Sequence, residues 1–94
     1  MINEEYKELI EEISHIIEND FKGLKRLLQN CRIVLRRRAK KITYCYRQTE
    51  IIIDKIMAWK ILCILGKLDI KDEKKKVALD NILDELGLKK RKSK

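Results

Sequence analysis

Every third and fourth residue from Leu28 to Gly66 falls on one track: Leu28, Cys31, Leu35, Arg38, Ile42, Cys45, Thr49, Ile52, Ile56, Trp59, Cys63 and Gly66. The steps alternate three and four, as in a heptad seam, and only Arg38 and Thr49 interrupt the apolar run before the closing glycine. The chain has no proline, and no glycine lies between Gly23 and Gly66. Backbone chemistry therefore permits one continuous helix. Such a helix would span roughly 58 Å. A compact chain of 94 residues should have a diameter of about 32 Å. The helix must break near the polar patch Arg36–Lys41, or another protein must cover its overhang. Because the seam stays in register across the patch, the sequence favours the covered helix.

Strong helix formers dominate, aromatic residues are few, and the length suits one domain with a modest core. The expected fold class is all-α: a helical bundle built on one long central helix, with a single helical domain over 1–88 and a basic tail over 89–94. Net charge is +8, unevenly spread. Residues 1–20 carry one Lys against seven acids, whereas residues 21–50 carry ten Lys or Arg against Glu50 alone. The acidic and basic segments can neutralise each other, or the basic one can meet an anionic partner.

Asn3 is a candidate N-cap for a first helix, with Glu4 and Glu5 in its first turn. Tyr6, Leu9, Ile10, Ile13, Ile16 and Ile17 form its apolar face, and His15 reads as a solvated residue on the polar side. Asn19 and Asp20 end this helix or cap the next, and Gly23 is a weak point. Arg32, Arg36, Arg37, Arg38, Lys40 and Lys41 form a basic collar, because consecutive helical residues point about 100° apart. From Ile51 to Leu65 apolar residues occur on most sides of a helix. A helix apolar all round is buried all round, which points to an obligate partner. Gly66 is the expected C-cap. A last helix runs from about Asp72 to Leu86, buries Val77, Leu79, Ile82, Leu83 and Leu86, and ends at Gly87. The tail Lys89–Lys94 should be disordered and is similar to a nuclear-import signal.

Cys31, Cys45 and Cys63 all fall on the seam, 14 and 18 residues apart, so on one helix they cannot bridge. They read as small buried hydrophobes in a reducing compartment. The most apolar run, Ile61–Leu65, is too short to span a membrane. The acidic N-terminus argues against a secretory signal, so a soluble intracellular protein is expected. No phosphate loop, catalytic dyad or metal spacing is recognisable. The expectation is a protein that is not an enzyme and has no cofactor and no metal.

Residues 34–46, Val-Leu-Arg-Arg-Arg-Ala-Lys-Lys-Ile-Thr-Tyr-Cys-Tyr, resemble the opening of the long helix in the GINS subunit called partner of Sld five, one. Leu35, Arg36, Arg38, Tyr44 and Tyr46 match that run, while Lys40 and Thr43 stand where Cys and Ala are typical. Trp59 follows about two residues later than the family's Trp. Glu4–Ile13 is similar to the family's opening pattern, and residues 72–86 are similar to its closing helix. The resemblance covers the family's helical domain only. It implies a non-catalytic scaffold subunit of a heterotetramer that joins the MCM helicase ring and a RecJ-like partner in chromosomal DNA replication. That role implies the nucleus in a eukaryote and the cytoplasm otherwise, with DNA contact indirect. The surface from Tyr44 to Leu65 would meet sister subunits through Tyr44, Tyr46, Ile52, Ile56 and Trp59. Two other readings are a small basic helical nucleic-acid-binding protein using the collar, and a homodimeric helical module.

Overall fold

The computed structural model describes residues 4–88, with side chains from Lys7 onward. Its elements are α1 (Glu4–Asn19), α2 (Phe21–Leu35), β1 (Ile42–Tyr46), β2 (Thr49–Ile53), α3 (Lys55–Lys67) and α4 (Glu73–Glu85). This is a small mixed fold of four helices and a two-stranded antiparallel sheet, so the expected all-α bundle on one long central helix is incorrect. The stretch 28–66 is a helix end, a basic loop, a hairpin and a second helix.

Local chemistry accounts for the break. α2 ends in a Schellman motif, in which the Arg37 N–H donates to the Val34 carbonyl and the Arg38 N–H to that of Ile33. Arg37 holds φ 64°, a left-handed position that glycine usually fills. After the loop come ITYCY and TEIII, rich in β-branched and aromatic residues. They pair as Ile42 with Ile53, Tyr44 with Ile51 and Tyr46 with Thr49. Arg47 and Gln48 make the two-residue turn, with Arg47 at φ 58°. The face carrying Tyr44, Tyr46, Ile51 and Ile53 is buried, and the face carrying Thr43, Cys45, Glu50 and Ile52 is exposed. That period of two replaces the expected period of three and four.

α2 is the centre of the molecule and touches every other element. Its Leu24, Leu27, Leu28, Cys31 and Val34 are buried against Leu9, Ile13, Ile16 and Ile17 of α1, the inner hairpin face, and Ala58, Ile61, Ile64 and Leu65 of α3. Leu79 of α4 closes the cluster. The folded chain measures 30 × 30 × 28 Å. A hairpin in mid-chain lets the two halves of the seam double back to fit that size.

Asp20 is the only residue between α1 and α2, and it caps α2 by accepting the Gly23 N–H at 3.0 Å. Gly23 is a point of close approach rather than a weak point. Tyr44 Oη donates to its carbonyl at 2.8 Å, and a Cβ there would lie 2.7 Å from the Asp20 carboxylate. Asp54 caps α3 through the Met57 N–H, and Asp72 caps α4 through Lys74 and Lys75. α4 ends as expected at Gly87, φ 70°, in a second Schellman motif.

Several finer expectations fail. Gly66 lies within α3, which continues to Lys67. Val77 is exposed. Of the seam cysteines only Cys31 is buried; Cys45 and Cys63 are exposed. Ile51–Leu65 is not one helix apolar all round. Its first part is a strand and its second buries one face on α2, so the obligate-partner argument loses its premise. Asn3 and the tail Lys89–Lys94 lie outside the described residues.

Candidate functional site

The expected basic collar is not a ring around a helix. Arg32 stays in the last turn of α2, half-buried, with its Nε enclosed and without a hydrogen-bond partner. Arg36, Arg37, Arg38, Lys40 and Lys41 occupy the loop between α2 and β1, all exposed. Arg37, Arg38, Ala39 and Lys40 form one wall of a cleft of about 590 Å³, and Asp54, Lys55 and Ile56 form the other. Asp54 is occupied in capping α3, with its Oδ1 2.8 Å from the Met57 nitrogen. Four cationic residues, Arg37, Arg38, Lys40 and Lys55, therefore line this cleft with one carboxylate, Asp54, and they come from two segments apart in sequence. Arg36 turns elsewhere: a Cβ at Gly87 would stand 3.1 Å from its Nη2. Its guanidinium thus rests by the C-terminal turn of α4, where the helix dipole favours a cation.

The five residues expected at a protein interface are split three ways. Tyr44 and Tyr46 are core residues. Burial holds the Tyr44 phenol above its ordinary range; the Arg26 charge pulls it down, and Asp20 and Tyr46 push it up. Ile52 lies on the outer sheet face in a separate groove rimmed by Glu8, Glu11, Glu12 and Glu50. Ile56 and Trp59 project from the outer face of α3, 68% and 58% exposed. Ile56 is at the cleft, and Trp59 is one turn further along the same helix face. Lys55 and Lys60 adjoin them in sequence. Cations and a large apolar surface therefore share this side of the molecule, whereas the groove at Ile52 is acidic.

His15 is not a solvated bystander. Its Nδ1 is 3.0 Å from Tyr46 Oη and its Nε2 is 3.2 Å from Arg47 Nη1. Arg can only donate, so Nε2 accepts and Nδ1 carries the proton toward Tyr46. This contact ties α1 to the hairpin turn; its geometry is structural. Among the described residues, no group of three or more His, Cys, Asp or Glu is placed to hold a metal ion, and no helix is long and apolar enough to cross a membrane.

Sequence reasoning named the loop cations but missed Lys55, which the fold brings across the cleft. It could not have been found from spacing, because 16 residues, the hairpin among them, separate it from Arg38. Compared with known proteins, the chain matches no family model, no curated protein and no solved structure.

Proposed function

We propose that this chain is a small non-catalytic nucleic-acid-binding domain that grips phosphates in the cleft between the loop Arg36–Lys41 and the start of α3. The observation that carries this reading is the convergence of Arg37, Arg38, Lys40 and Lys55 on one exposed cleft. Cations collected without buried acid partners suit a polyanion, and phosphate contacts supply most of non-specific affinity. The acid-rimmed groove on the sheet face would repel the same ligand, so the molecule has one side suited to it.

The test is fluorescence anisotropy with labelled oligonucleotides over a salt series. Three or four phosphate contacts give a slope of log K against log salt of roughly −2 to −4. Arg37→Glu combined with Arg38→Glu and Lys40→Glu should remove binding while circular dichroism stays unchanged. Unaltered affinity in that variant would reject the cleft.

A second reading is the scaffold subunit implied by the GINS resemblance, meeting sister subunits, the MCM ring and a RecJ-like partner. One observation favours a protein interface: Ile52, Ile56 and Trp59 are large apolar side chains left in water. Two of its five expected residues lie in the core, and the helix start on which the resemblance rested is a loop and a strand. Ile56→Asp separates the readings. Ile56 is exposed, so the fold should survive, and loss of co-purifying helical subunits would favour the scaffold.

A further inference from the structure

We infer that the cleft takes single-stranded rather than duplex nucleic acid, with an unstacked base lying on the Trp59 indole. This deepens the nucleic-acid reading and rests on it. Phosphates alone give no reason for an exposed indole beside a basic cleft, since the faces of paired bases are hidden inside a duplex. A single strand offers those faces, and base–aromatic stacking tolerates any sequence.

Three observations point the same way. The cations of the cleft lie mainly on a short loop, and α3 behind it has Ile56, Trp59 and Cys63 on its exposed face. A helix that reads the major groove usually presents several Arg, Lys, Asn or Gln to base edges; α3 has only lysines, Lys55, Lys60 and Lys67, and its Ile56–Trp59–Cys63 face carries none of them. Lys55 and Trp59 are one turn apart, a rise of about 6 Å. That is the scale of one nucleotide, so a phosphate at Lys55 puts the adjoining base within reach of the indole. Finally, Ile56 lines the cleft and, three residues before Trp59, shares an exposed face of α3 with it, so cationic and apolar groups lie on one side of that helix. A strand whose backbone follows the cleft and whose bases splay outward fits both parts.

Trp59 is the only tryptophan in the chain, so its fluorescence reports on this position alone. The full-length protein is titrated at low salt with labelled oligothymidylate and with a duplex of equal length, following label anisotropy and tryptophan emission together. The expected result is tighter binding of the single strand by tenfold or more, with emission quenched at the same midpoint. Trp59→Ala should weaken single-strand binding by about 5- to 100-fold. Trp59→Phe should recover most of it, with the salt slope unchanged in both. Equal binding of both forms, or affinity indifferent to Trp59→Ala, overturns the stacking inference and leaves phosphate binding standing. No binding of either form at low salt overturns both. Circular dichroism of the Trp59 variants confirms that the fold is retained.

Discussion

Cys31 sits fully enclosed in α2, and burial pushes its thiol up from 9.0 to about 12. Below pH 9 the folded and unfolded chains both hold this proton. Between about 9 and 12 the unfolded chain releases it and the folded chain does not, so stability falls as pH rises, by about 1.4 kcal/mol per unit. Urea denaturation of the wild type and Cys31→Ala from pH 8 to 10.5 should show the variant less stable at pH 8, by on the order of 1 kcal/mol from lost packing. The gap should close and then reverse as pH climbs to 10.5; parallel curves would contradict the assignment. The burial of Cys31 was legible in the sequence, since Leu24, Leu27, Leu28 and Cys31 follow helical spacing. That Cys45 and Cys63 are exposed was not, because they share the same track while their local structures face the other way.

At the scale of elements, the two Schellman motifs make a comparison within one molecule. α4 ends with Gly87 in the left-handed position and α2 ends with Arg37 in it. A side chain there costs about 1–2 kcal/mol relative to a conformation it prefers. Glycine would remove that strain and give back part of it through its freer unfolded state. Arg37→Gly should therefore raise stability by up to about 1 kcal/mol while weakening oligonucleotide binding. A fall in the urea midpoint would refute the strain argument. The same substitution pattern explains what the sequence concealed. α4 was readable because Asp72 and Gly87 are the residues that caps ordinarily use. The end of α2 and the hairpin turn were hidden because arginines, Arg37 and Arg47, hold positions where glycine or asparagine would have announced a stop. Ile42, Tyr44 and Tyr46 carry a period of two, and Ile42, Cys45 and Thr49 a period of three and four, in the same residues. β-branched content, not spacing, distinguishes them.

For the molecule as a whole, the seam that suggested one long helix is divided by the hairpin into an inward half on α2 and an outward half on α3. The outward half supplies Ile56 and Trp59 to the candidate site, and the loop at the division supplies its cations. The charge asymmetry legible in the sequence thus becomes a spatial one, with the acids of α1 rimming one groove and the arginines lining another. The loop is held at both ends. Two backbone hydrogen bonds fix Arg37 and Arg38 to α2, and Ile42 is already paired with Ile53. Only Ala39, Lys40 and Lys41 lie between those anchors. Folding has therefore settled most of the backbone freedom of this segment before any ligand arrives. An incoming strand would meet a preorganised cradle, and the ordering entropy that weakens recognition by floppy basic tails would fall mainly on the strand and the arginine side chains.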